Sequence, residues 1–236
     1  MSDIRPLIDG MKGHNYALPD CIKFILERLG EYEELNFWNI AAINGDTVAQ
    51  VYNQNPTTSC EYCVSGYLAG AEHIAYVFGV LGYEYEYVTA EQFNKDTVHY
   101  LRKITEYIKN GVPILVKTNL NDIPAWESDV GIHCLIVGYN HKNVLELLVS
   151  DTTPIEYEVT EENKLDLIFI GSKKREVSLE EIYLKIINKM SYWLTLPERN
   201  GMYFGSAAYR AWADDIENGR FAEEGLPLWE NYGVYV

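Results

Sequence analysis

Ile22, Ile25, Leu26 and Leu29 recur at the i, i+3, i+4, i+7 spacing of one helix face, with Asp20 placed as an N-cap and Gly30 as a stop. This pattern predicts a helix over 20–29 that carries Cys21 in its first turn. After the polar run Asn55, Pro56, Thr57, Thr58 and Ser59, residues 60–81 read as a longer apolar helix. Its small residues Ser65, Gly66, Ala69, Gly70 and Ala71 imply close packing, at some cost in helix propensity. A third helix is predicted over 91–110, ending at Asn110 and Gly111.

Strict alternation over Tyr83 to Val88 predicts a strand. Apolar runs at 113–118, 134–139 and 144–149, then 155–159 and 165–171, read as strands of a mostly antiparallel sheet. Ser178 and Glu181 have capping-box spacing and open a helix over 178–190, and a last helix near 207–218 sets Ala208, Trp212 and Ile216 on one face. Helices, then strands, then helices argue for an α+β domain rather than a doubly wound parallel sheet. The simplest partition is an α+β domain over 1–200 and a C-terminal helical appendage with an apolar tail over 201–236. The final residues, from Leu226 through Trp229 and Tyr232 to Val236, are apolar enough that the tail is expected to dock on its own domain or to form a homodimer contact.

A chain of 236 residues with 47% hydrophobic content can fill one large core. With 19 basic against 35 acidic residues and a net charge of -16, it offers no electrostatic footprint for nucleic acid or an anionic membrane. The first fifteen residues contain no apolar stretch of the signal-peptide kind, and no segment reaches the roughly 18 uncharged apolar residues that span a bilayer. A cytoplasmic location is therefore expected. The four cysteines, Cys21, Cys60, Cys63 and Cys134, read as free thiols rather than a disulfide framework. A single Cys60-x-x-Cys63 without a second ligand pair is read as helix packing, and neither a metal nor an organic cofactor is implied.

Three of these residues suggest chemistry. A thiol at a helix N-terminus near an imidazolium is a standard low-pKa nucleophile, and Cys21, with His133 just before the apolar run 134–139, offers both parts. If the turn after Asn140 sets that residue opposite Val144, His133 and Asp151 fall opposite each other on one sheet face, where the carboxylate would orient the imidazole. A register one residue different sends them to opposite faces. The Cys21 backbone N–H and the Asn15 side-chain amide are the candidate donors to a developing oxyanion. Gln54 and Cys60 repeat the six-residue spacing of Asn15 and Cys21, so Cys60 stands as the second candidate nucleophile.

Asn15 and Cys21, the helix that follows, His133 with Gly138 and Tyr139, and an apolar strand ending in Asp151 and Thr152 together resemble the papain-like cysteine peptidase superfamily. The nearest groups are the bacteriocin double-glycine-leader peptidases and the N-terminal domain of butirosin-type acyltransferases. The resemblance implies a papain-like α+β fold, with N-terminal helices packed on the sheet. It also implies a cysteine-dependent hydrolase or acyltransferase acting on an amide or thioester of a small molecule or peptide, through Cys21, His133, Asp151 and Asn15. The peptidases carry Gln where this chain has Asn15 and a small residue where it has Ile22. Those departures motivate the other expectation, a catalytically silent papain-like scaffold that binds a small molecule, a peptide or a biosynthetic partner.

Overall fold

The computed structural model describes residues 17–31, 35–54, 64–68, 70–124, 131–140, 143–149, 153–199 and 201–219. Asn15, Cys60, Cys63, Asp151 and the apolar tail lie outside these residues. Helix α1, Ala17–Arg28, buries Leu18, Cys21, Ile22, Ile25 and Leu26, and has Asp20 in its first turn and Arg28 in its last, in keeping with its dipole. It starts three residues earlier than the spacing predicts, because Pro19 is tolerated where no intrahelical N–H is required. Helix α2, Phe37–Asn44, is an element that the periodicity does not reveal. Its N-cap is Asn36, whose side chain accepts from Asn39 N, and its C-cap is Gly45.

Strand β1 is Val51–Asn53. The described part of the long apolar stretch forms two helices instead of one, α3, Val64–Leu68, and α4, Ala71–Leu81, with extended backbone at Gly70 between them. Strand β2 follows at Tyr83–Val88. The helix expected over 91–110 is likewise two helices, α5, Ala90–Lys95, and α6, Thr97–Lys109. Asp96 breaks it by leaving helical geometry and accepting from His99 N, since a short acceptor side chain serves better as a cap than in a helix interior. Thr89 and Gln92 close a capping box on α5.

The strands then run β3 Ile114–Asn119, β4 Gly131–Asn140, β5 Val144–Leu148, β6 Ile155–Glu158 and β7 Asp166–Lys173. They are followed by α7 Leu179–Trp193, β8 Met202–Phe204 and α8 Gly205–Glu217. Six strands form one antiparallel sheet in the order β2-β7-β3-β4-β5-β6, and β1 pairs with β8 in a second, two-stranded sheet. The molecule is α+β, as its element order predicts.

Period-two alternation gives the large sheet two buried faces. Leu115, Leu135, Val137, Leu148, Ile168 and Ile170 belong to the core that includes the buried faces of α1, α2, α4 and α7. Val116, Cys134, Ile136, Leu147, Leu167 and Phe169 belong to the core under α5 and α6. Asn140 pairs with Val144, the register that the triad reading needs at the turn. A bulge between Ile136 and Gly138 then shifts the pairing by one, so that Leu135 faces Leu148. Gly138 sits at the bulge because a Cβ there would lie 2.0 Å from Glu146 Oε2.

The segment after 201, expected as an appendage, begins inside the body: Met202 and Phe204 are buried in the α1-side core, and β8 pairs with β1. The inward face of α8 also differs from expectation. Ala208, Ala211 and Asp215 are buried while Ile216 is 37% exposed. Asp215 turns inward because Tyr52 Oη donates to its Oδ2 at 2.6 Å and Gln54 Nε2 to its Oδ1 at 3.1 Å. Among the described residues, no helix is long and apolar enough to cross a membrane.

Gly45 is where local geometry and core packing meet. Its φ of +91° lies in the left-handed region, and an added Cβ would approach the Trp193 ring to 2.9 Å. Gly45→Ala is expected to destabilise the protein by about 2 kcal/mol or more, combining left-handed strain with overpacking against a fully buried indole. Chemical denaturation checks this, and an unchanged midpoint would contradict the packing described for α2 and α7.

Candidate active site

Helix α1 packs across β4 and β3, so Cys21 and His133 belong to the same side of the sheet. Cys21 is the fifth residue of α1, not part of its first turn. It therefore lies beyond the four N–H groups that a helix start leaves unpaired, and its backbone N–H is not an orphan donor for an oxyanion. The thiol is 1% exposed. Burial pushes its pKa well above the ordinary value, with Cys134 and the Asp20 carboxylate adding to the rise and the backbone N–H opposing it. The lowered thiol pKa expected from a helix N-terminus is thus reversed, because desolvation outweighs the helix contribution. Cys134 points into the opposite core, and burial raises its thiol to about 12.

His133 is 4% exposed. Burial, with Lys117 and His73 adding to it, lowers the imidazole to about 3, so the ring is neutral at pH 7. Among the described residues its Nε2 has no hydrogen-bond partner, and a polar atom buried unpaired costs about 1–3 kcal/mol. Among the described residues no hydrogen bond joins Cys21 to His133. Of the four catalytic candidates, the structure brings Cys21 and His133 to one side of the sheet, and Asn15 and Asp151 lie outside the described residues. For the second candidate pair, Gln54 spends its amide on Asp215 of α8, and Cys60 is likewise not described.

Sequence reasoning missed the polar row beside His133. Lys117 on the central strand β3 is the direct pairing partner of His133 on β4 and of Asp166 on β7. Directly paired residues in antiparallel strands share a face, so Asp, Lys and His stand side by side on the α1 side. Asp166 is already engaged: Tyr87 Oη donates to its Oδ2 at 2.7 Å, and Ala90 N donates to its Oδ1 at 2.8 Å. Burial, then the carboxylate, pushes the Tyr87 phenol up. Lys117 holds no ion pair among the described residues. The available signal was a lysine interrupting the buried run Ile114, Leu115, Val116 at a position with the same facing as Leu115.

A second imidazole was also missed. His73 on α4 is buried, and its Nε2 lies 2.9 Å from Asn44 Oδ1. Asn44 already donates its Nδ2 to Ile40 O at 2.8 Å, so its oxygen accepts and His73 carries the proton on Nε2. Burial, with Lys189 adding to it, lowers His73 to about 4. Among the described residues, no group of three or more His, Cys, Asp and Glu side chains is placed to hold a metal ion. A cavity of about 430 Å³ lined by Glu84, Glu86, Tyr107 and Phe169 lies at the sheet edge, three strands from β4.

No protein-family model matches this chain, and no curated protein matches it.

The two neutral histidines set a pH dependence whose sign can be worked out. Both are depressed below their ordinary 6.5, so unfolding takes up a proton at each, and the stability present above pH 6.5 is lost as pH falls toward the folded values near 4 and 3. Asp46 opposes them. Burial raises it from 3.8 to about 7 despite hydrogen bonds from Ser65 and Val64, so its favourable contribution is complete below 3.8 and is lost as pH rises. Two protons taken up against one released leave a net uptake of one, a slope of about 1.4 kcal/mol per pH unit. Urea midpoints are expected to fall between about pH 6.5 and 4.5, and His133→Gln to flatten that fall. Equal slopes in both proteins would mean that His133 is not held neutral.

Proposed function

We propose that this protein is a cysteine-dependent acyl-transfer enzyme of the papain type, with Cys21 as nucleophile and His133 as general base and acid. The observation that carries the reading is the neutral imidazole of His133, buried with an unpartnered Nε2 on the sheet side that the cysteine-bearing helix covers. An imidazole neutral at pH 7 is in the form that accepts a proton, and a raised thiol pKa leaves Cys21 with a proton to give. The pair therefore rests uncharged, and the proton moves only when an acyl group arrives.

In that step Cys21 Sγ bonds to the acyl carbon while its proton passes to the His133 ring. The tetrahedral adduct collapses by expelling an amine or thiol, which takes the proton from the imidazolium. The acyl-cysteine thioester is then transferred to water or to a second nucleophile. Asn15 as oxyanion donor keeps the role that the papain-like resemblance implies; Asp151 as orienter rests on that resemblance alone, because past the bulge at Gly138 the pairing of β4 with β5 leaves the register that would set it opposite His133. A second reading, a silent scaffold on the same fold, is favoured by one observation: Cys21 is sealed and makes no hydrogen bond to His133.

p-Nitrophenyl acetate separates the two. The enzyme reading expects a burst of nitrophenolate and an acetyl adduct that peptide mass spectrometry assigns to Cys21. Cys21→Ser abolishes both, and His133→Gln slows the burst at least a hundredfold, the usual scale of a lost general base. A native protein that forms no adduct, or forms one on another cysteine, removes Cys21 from the role of nucleophile.

A further inference from the structure

The polar row on the α1 face assigns a kind of substrate. We infer that Lys117 is a binding residue for an anionic group, a carboxylate or phosphate, carried by the ligand that reaches His133; the inference names the substrate class for the Cys21 and His133 site and rests on that reading for its catalytic consequence.

Three observations converge on Lys117. It occupies the central strand of the large sheet, half-buried, in direct pairing with His133. In a chain with 35 acidic residues against 19 basic ones, Lys23, Lys103, Lys173, Lys174 and Arg175 each hold a carboxylate; among the described residues Lys117 holds none, and neither do Lys95, Lys109, Lys164, Lys185 and Lys189, but of these lysines Lys117 is the one that lies in a strand of the large sheet. The one carboxylate beside it in the ladder, Asp166, has both oxygens committed to Tyr87 and Ala90. Lys117 thus stands half-buried between a carboxylate that already accepts two hydrogen bonds and a buried imidazole whose Nε2 has no partner, and among the described residues its ammonium holds no ion pair, which leaves it hydrogen-bonding capacity that an anionic ligand group can take up.

The pairing also has a chemical consequence. Lys117 depresses the basicity of His133, and an anion seated on the ammonium offsets that effect. A substrate bearing the anion thereby raises the basicity of the imidazole that must accept the Cys21 proton, whereas a neutral substrate leaves it weak. Charge recognition and activation of the base would then be a single event.

The test compares p-nitrophenyl acetate with the mono-p-nitrophenyl ester of glutaric acid, whose acyl group ends in a carboxylate. The wild-type protein is expected to be acylated at Cys21 faster by the glutaryl ester. Lys117→Met should lower the glutaryl-to-acetyl rate ratio by roughly tenfold to a hundredfold, the scale of one charge-assisted hydrogen bond, and Lys117→Arg should restore most of it. No preference in the wild type, or equal slowing of both esters by Lys117→Met, overturns the inference; the second result would make Lys117 a donor to the tetrahedral oxyanion. If neither ester acylates the protein, the enzyme reading fails by itself and the anion site is decided by binding. Free glutarate and inorganic phosphate are titrated while the His133 ring resonances are followed by NMR. Saturable shifts with either anion that vanish in Lys117→Met sustain the site and identify which anion it takes, and no shift with either overturns it.

Discussion

The docking of α1 across β3 and β4 is the contact on which the rest of the structure depends. Five of its twelve residues, Leu18, Ile22, Phe24, Ile25 and Leu26, are buried apolar side chains at 3% exposure or less. At about 2 kcal/mol for each large side chain, this burial is of the order of 10 kcal/mol before the entropy of ordering the helix is charged against it. The same contact seals Cys21 and helps to close the sheet face that bears His133. An apolar seal of that quality cannot also be a water-filled cleft, which is why thiol and imidazole both rest uncharged.

The polar row shows what the apolar seal does not cover. Strands β7, β3 and β4 each place one ionisable side chain at the same level of the sheet, while the next inward positions, Ile168, Leu115 and Leu135, are fully buried hydrocarbon. Moving each strand one pair further into the sheet thus changes the surface from charged to dry. Asp166 manages its burial with hydrogen bonds from another strand and a helix start, and Asn44 and His73 satisfy one another, whereas in the polar row the His133 Nε2 and the Lys117 ammonium keep unspent hydrogen-bonding capacity among the described residues. Buried polar atoms left without a partner, as His133 Nε2 is in this row, are points where the structure departs from simple stability.

Much of this fold was legible in the sequence because its signals are local. The alternation over Tyr83 to Val88, the apolar runs of the later strands, the spacing of Ile22, Ile25 and Leu26 on α1 and the Ser178 cap of α7 are each signals carried by neighbours within a few residues, and the structure has an element at each. The errors were non-local or conformational. Gly70 and Asp96 broke helices that periodicity alone would continue, and Asp215 turned inward for partners more than 160 residues away. The three-residue strands β1 and β8 are too short to show a period. For the site, the sequence supplied Cys21 and His133 as residue types in order, but not Lys117 or Asp166, because their significance comes from a strand order that brings β7 between β2 and β3. The thiol's raised pKa was equally hidden, since it depends on how completely a helix face is covered.

The pairing of β1 with β8 bears on how the chain is made. Val51 has no ladder partner until Phe204 has been synthesised, and Tyr83 to Val88 at the sheet edge must wait for Leu167 to Lys173. At ribosomal speeds of roughly 5–20 residues per second, the interval between Val51 and Phe204 is on the order of ten seconds. Throughout it α1, α2 and α4 are available while much of the core that covers them is not. A nascent chain with such distant partners presents its most apolar helices to the cell before it can bury them, so its yield in vivo depends on whatever shields those surfaces during synthesis.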